Sequence, residues 1–348
     1  MKPRKELLNN KEVDIYDVSK MTVDEWRGFR SSLDKIGGSE VGTICGLNQY
    51  KDPLILFYEK IGLKQDNFAG NIYTTLGSFL EESIRQMWKY GNTLDEITMN
   101  YNQVNPIREA DDPLWTIVNP DYPWFAANTD GFITKDPDYD YISDYGILEI
   151  KKISKKASEQ YLGGIPPQYI YQLQSYMMSI NAGYGYIAAL VGENHFISVG
   201  YLYDQEIVDE IVTKCTQFRE SVELGRDIMK KNISLDNKMR ELVIIEDSFD
   251  VLQISAYDKL GEFYAEPQME ELRTQKIASD DTIEELAKNY HDASTQEAKY
   301  KAEKTKYGTL LKKNLTEGSA KEVDTWIYDG SAYNVKYKKR LSVNKKDE

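Results

Sequence analysis

Two cysteines in 348 residues, Cys45 and Cys215, exclude a disulfide framework and leave too few thiolates for a four-cysteine iron–sulfur cluster. Two histidines, His195 and His291, make a histidine-based nuclease or phosphoesterase centre implausible. No stretch approaches the roughly 20 apolar residues that span a bilayer, so no membrane role is expected. The N-terminal MKPRKELLNNKEVDIYDV has basic residues without an apolar run behind them, so no signal peptide is visible. Together with the scarce cysteine this points to a reducing cytoplasm, that of the host if a phage encodes the chain. A GxxxxGK[ST] loop is also missing, which excludes a phosphate-loop motor.

Net positive charge is missing too. The formal charge is −14, which argues against a protein that coats nucleic acid. The balance is uneven, because residues 296–348 hold 13 Lys and Arg against 8 Asp and Glu. An enzyme needs only a local basic track, since phosphate contact and steering act over about one Debye length, ~8 Å in physiological salt.

What is present is an alternation of helical and strand patterns. Residues 1–21 read as a loose, polar lead. Thr22 and Asp24 are helix-capping residues before EWRGFRSSL, and Gly37-Gly38 closes that segment. Ser39 then caps EVGTICGL, and DPLILFYEKIG has its proline and glycine at the proper ends of a helix. Helical spacing continues over 73–90. A strand-rich stretch follows in WTIVNPDYPWFAANTDGFIT and YGILEIKKIS, separated by the acidic turn DPDYDYISD. A helix is expected over 167–180, then strands YGYIAALVG and NHFISVGYLY, then an amphipathic helix from Asp204. Beyond residue 230 lies an extension with charged helices over 281–315 and a hairpin over 323–337, turning at Asp329-Gly330. The organisation is a lead (1–21), a core (22–230) and a C-terminal extension (231–348).

The chemistry concentrates in NTDGFIT and GILEIKK. Side chains alternate along a strand, so Glu149 and Lys151 share a face while Ile150 turns to the core. Eighteen residues separate Asp130 from Glu149, enough for an antiparallel pair that sets the two carboxylates side by side. Two carboxylates on rigid strands suit a hard, oxygen-seeking divalent ion such as Mg²⁺, and the Ile150 carbonyl is a further oxygen ligand. A neighbouring ammonium can orient or deprotonate the attacking water and oppose charge growing on a phosphate. Alone, D…ExK is weak, since charges two apart on a strand usually form a solvated face. Here the charges begin where an apolar run ends.

The order of motifs resembles the YqaJ-type viral recombinase nucleases, relatives of phage lambda exonuclease in the PD-(D/E)xK superfamily. The resemblance rests on EWRGFR…IGGSEVGTICGLNQYKDPLILFYEKIG, LGSFLEE, ANTDGF, ILEIKK and IPPQYIYQLQSYM, in that order over about 22–225. It implies an α/β (α+β) fold with a restriction-endonuclease-like core, a mixed central sheet flanked by helices. It also implies a metal-dependent exonuclease that degrades one strand of linear double-stranded DNA from the 5′ end. Two Mg²⁺ ions per site, with Mn²⁺ as a substitute, a ring-shaped trimer and a single-strand annealing partner belong to the same implication. By the resemblance Asp130, Glu149 and Glu81 are metal carboxylates, Lys151 is the catalytic lysine, and Gln172 completes the signature. Arg30 and Ser39 correspond to the pair that holds a terminal 5′ phosphate. Thr129 stands where the superfamily name has proline. The competing readings are an endonuclease or defence nuclease of the same fold, and a non-catalytic binding protein.

Overall fold

A computed structural model of the chain describes residues 1–48, 51–64, 72–159 and 164–234, positions scattered over 237–245 and 289–306, and the backbone of 322–328, 331–337 and 341–345. The chain divides into two compact units, Met1–Thr274 and Gln275–Glu348. The first begins with strands β1 (Arg4–Leu8) and β2 (Lys11–Asp17), helix α1 (Val23–Leu33), β3 (Ile36–Gly37) and helices α2 (Gly38–Ile44), α3 (Pro53–Lys60), α4 (Ile72–Tyr90) and α5 (Leu94–Asn102). Strands β4 (Glu109–Asp111), β5 (Trp115–Val118), β6 (Phe125–Ala126), β7 (Gly131–Lys135) and β8 (Gly146–Ile153) follow. Then come α6 (Lys155–Glu159), α7 (Pro167–Ile180), β9 (Tyr184–Val191), β10 (His195–Leu202) and α8 (Gln205–Lys230).

The central sheet runs β10-β9-β8-β7-β4. It is mixed: β8 and β9 are parallel, and the other pairs antiparallel. A parallel pair needs a crossover between its strands, and α7 provides it. Alternation along β8 and β9 assigns the two faces. Leu148, Ile150, Tyr184, Tyr186 and Ala188 pack with Ile84 and Trp88 of α4. Ile147, Ile153, Ile187 and Ala189 pack with Leu173, Met177 and Ile180 of α7, and with α2, α3 and α8 beyond. Both faces of β8 are therefore covered, so each large apolar side chain on it adds about 1.5–3 kcal/mol by burial. Among the described residues no helix is long and apolar enough to cross a membrane.

Several local readings change. Residues 1–21 are not a loose lead: β1 and β2 form a hairpin, and β2 pairs with β5. The short KEVDIYD run buries Val13 and Ile15 at period two, and Asn9 and Asn10 take the positive-φ turn. Helix α1 is capped by Thr22 and Glu25 in a reciprocal box and ends at Asp34, which adopts φ 49, so Gly37-Gly38 does not close it. That glycine pair starts α2 instead, and Ser39 is inside the helix rather than at its cap. The Gly37 N–H donates to Glu40 Oε2 at 3.0 Å in place of a side-chain cap. Helices α5 and α6 and strand β4 were not anticipated; each is short and carries little apolar periodicity.

In the second unit, the described positions over 289–301 and residue 306 are helical, within the stretch expected to be so. Strands β11 (Glu322–Tyr328) and β12 (Ser331–Tyr337) form the expected hairpin, with Tyr328 opposite Ser331. A third strand, β13 (Leu341–Lys345), extends it. The rest of the charged helical reading lies outside the described residues.

Candidate active site

The site sits where β7 leaves the sheet. Pairing between β7 and β8 stops at Gly131 opposite Leu148, while β8 continues beside β9 to Ile153. The next residue on β7's side is Asp130, whose side chain replaces the missing strand: Asp130 Oδ2 accepts from the Ile150 N–H at 2.7 Å. Asp130 thus lies beside Glu149, and the β8 edge from Glu149 onward is freed from its β7 neighbour.

Glu149 is 1% exposed and points to α7. Its Oε1 accepts from Gln172 Nε2 at 2.7 Å and forms an ion pair with Lys151. Its Oε2 is buried without a hydrogen-bond partner. Gln172 spends its second amide hydrogen on Tyr176 Oη at 3.1 Å. The ring of Tyr176 lies so close to Gly38 that a Cβ there would overlap it, and a Cβ at Gly42 would overlap Gln168. Helix α2, with Ser39 exposed in its first turn, is therefore seated on the helix that holds Glu149. Arg30 stacks over Trp26, with its guanidinium against Gly37. Glu149, Lys151 and Gln172 are in direct contact, and Asp130 is held beside them by the Ile150 N–H, close enough to interact electrostatically with Glu149 and Lys151. Arg30 and Ser39 lie at the α1–α2 junction, joined to that group through Tyr176.

On the other flank, Glu81 of α4 keeps much of its surface exposed, yet its carboxyl is near enough to interact with Asp130 and Lys151. One turn on, Arg85 donates to the Asp130 carbonyl at 2.8 Å, to Asp112 at 3.0 Å and to Glu82 at 2.6 Å. Arg85, Asp112, Tyr169 and Tyr176 escaped the sequence reading. Arg85 follows Glu81 at helical spacing, and Tyr169 and Tyr176 flank Gln172 at i−3 and i+4, so that signal existed. Asp112 sits in a loop and carried none.

Electrostatics follow from the crowding. Burial, then the Asp130 carboxylate, push Glu149 up to about 8, although Lys151 pulls the other way. Desolvation and the Asp130 charge push Glu81 up to about 7. Asp130 is also raised by burial, against Lys151 and the Ile150 N–H. Burial alone would lower Lys151, but Glu149 and Asp130 outweigh it and hold the ammonium charged. Three carboxylates that resist ionising together, one with an orphaned buried oxygen, form a donor set suited to a hard divalent cation. Among the described residues no three carboxylates already converge on one metal position.

Comparison with known proteins bears on this region. Residues 25–184 match the YqaJ-like viral recombinase domain. The resemblance carried by the motifs is thereby borne out over the segment that holds every site residue named above. A Bacillus subtilis (strain 168) protein, "Uncharacterized protein YqaJ", is 27% identical over 210 residues, 60% of this chain. The chain spans 58% of the length of that relative. Among solved structures, an alkaline exonuclease (LHK-Exo) from Laribacter hongkongensis aligns over 63% of this chain and 100% of its own, at 18% identity and TM-score 0.43. A phage related exonuclease from Haemophilus somnus 129PT aligns over 56% of this chain and 96% of its own, at 12% identity and TM-score 0.37. These structural likenesses are distant, and the fold described above stands on the chain's own topology.

Proposed function

We propose that the chain is a metal-dependent deoxyribonuclease, a phage-type exonuclease that removes one strand of linear duplex DNA from the 5′ end to expose a strand for annealing. The observation that carries this reading is Glu149: a buried carboxylate with one oxygen tied to Gln172 and Lys151 and the other unpartnered, beside Asp130 at a strand end. A balanced structural ion pair has no use for that surplus of negative charge.

Asp130, Glu149 and Glu81, with the Ile150 carbonyl, would hold Mg²⁺, and the carboxylate excess accommodates two ions or Mn²⁺ in their place. A bound divalent ion supplies an activated water and neutralises charge on the scissile phosphate. Gln172 fixes the Glu149 rotamer through Oε1. Lys151 brings an ammonium to the same oxygen, where it orients the attacking water or opposes charge developing on the phosphate. Arg30 offers a guanidinium fork to a terminal 5′ phosphate, with the Ser39 hydroxyl beside it. Partners on this reading are DNA ends, two further copies of the chain in a ring, and a single-strand annealing protein; the setting is the host cytoplasm.

Incubation of 5′-phosphorylated linear duplex and covalently closed circular duplex with Mg²⁺ tests the reading. The expected result is loss of the linear DNA with label released first from the 5′ end, and an untouched circle. A nicked or linearised circle would make the chain an endonuclease of this fold. No cleavage of either substrate would leave the non-catalytic reading. Solution mass tests the trimer separately.

A further inference from the structure

Helix α7 presents Tyr169, Gln172 and Tyr176 at i, i+3 and i+7, one stripe toward β8. Gln172 and Tyr176 belong to the hydrogen-bond chain from Glu149, and Tyr169 has a different neighbour. The Lys151 ammonium lies over its ring, 5.2 Å from the centroid. That is within the roughly 6 Å at which the negative face of an aromatic ring attracts a cation. Lys151 is therefore held twice: by the Glu149 carboxylate and by the Tyr169 ring.

The two restraints differ in what they cost the site. A carboxylate that holds the lysine is less available to a metal, and one that binds a metal holds the lysine less firmly. An aromatic face attracts the ammonium without taking up an oxygen donor and without consuming its N–H groups one by one. We infer that Tyr169 is a positioning residue for Lys151, its ring and not its hydroxyl keeping the ammonium at the scissile phosphate where a bound cation would draw on the Glu149 charge. This rests on the nuclease reading above for its catalytic consequence, but the contact itself does not.

Two variants and two readouts test it. Tyr169→Phe keeps the ring and Tyr169→Leu removes it while keeping an apolar side chain. On 5′-phosphorylated linear duplex, Tyr169→Phe is expected to cleave at the parental rate. Tyr169→Leu should lose about tenfold in kcat with KM for DNA ends and the Mg²⁺ requirement unchanged, the size expected for loss of a partly desolvated cation–ring contact. In lysine-labelled protein without metal, the Lys151 ε-methylene protons should show an upfield ring-current shift that survives in Tyr169→Phe and vanishes in Tyr169→Leu. A loss in Tyr169→Phe would move the role to the hydroxyl, and a raised KM with kcat intact would mean that the ring stacks on DNA; either overturns the inference. A wild-type chain without cleavage would overturn the nuclease reading, and the ring-current shift would still decide whether Tyr169 holds Lys151.

Discussion

The central sheet buries charge in two places, and the two are built differently. On the α4 side, Arg108 and Asp136 are 1% and 0% exposed, with Nε and Oδ1 3.9 Å apart. The Arg108 guanidinium lies against the rings of both Trp88 and Tyr186, 5.2 and 4.8 Å from their centroids, and donates to Asn92 at 2.9 Å. One cation meets one anion, and aromatic faces close the space around them. At the β7–β8 junction, Glu81, Glu82, Asp112, Asp130 and Glu149 gather around two cations among the described residues, Arg85 and Lys151. Both places strand buried polar atoms, so burial does not separate them. Charge balance does: the first pair neutralises itself and acts as scaffold, whereas the second is short of positive charge.

The sharpest way to break this contrast is to remove a carboxylate from each. Glu149→Ala or Asp130→Ala should lower cleavage of linear duplex about a thousandfold or more while thermal unfolding stays near the parental midpoint, because a repulsion is relieved as a contact is lost. Asp136→Ala should do the reverse. Stranding Arg108 should cost about 3–5 kcal/mol in denaturant unfolding, with the folded fraction still cleaving normally. Next in size, Lys151→Ala should be inactive yet still bind Mg²⁺ and DNA; cleavage at the parental rate would remove Lys151 from the chemistry.

Arg30→Ala tests whether the α1–α2 junction is a third kind of charged place, one that takes an anion. About a tenfold loss is expected on 5′-phosphorylated ends, with little loss on 5′-hydroxyl ends. Equal losses on both would detach Arg30 from phosphate.

The smallest effect concerns protons. Burial and the Asp130 charge raise Glu149 to about 8, so a proton competes with a cation for its carboxylate as pH falls. Mg²⁺ binding should therefore weaken as pH falls below about 8 and release protons at pH 7 but few at pH 9. Calorimetry in two buffers of different ionisation enthalpy reads this directly, and a pH-independent affinity would contradict it.

Much of this was legible from residue patterns, and the gaps have physical causes. The strands around Asp130 and Glu149 announced themselves because β8 is apolar on both faces up to Glu149, and the expected helix over 167–180 matches α7. The site's depth was not legible. A run such as LEIKK reads as a strand reaching solvent, but β8 stays covered by α7 and Glu149 is buried. Hairpin β1–β2 was missed because two apolar side chains in a polar run make a faint period. The cap of α2 was assigned to Ser39 because serine is the commoner cap, whereas Glu40 satisfies the Gly37 N–H from inside the helix. Arg85 and Tyr169 lay on helix faces whose spacing was visible, but their partners come from elsewhere in the chain.

The central claim is that the charge-deficient centre, and not the balanced pair, is where a divalent cation enters. Titration calorimetry of Mg²⁺ into the wild-type chain, Glu149→Ala and Asp136→Asn tests it most directly. Binding is expected in the wild type and in Asp136→Asn, and its loss in Glu149→Ala. Binding that persists in Glu149→Ala and disappears in Asp136→Asn would contradict it.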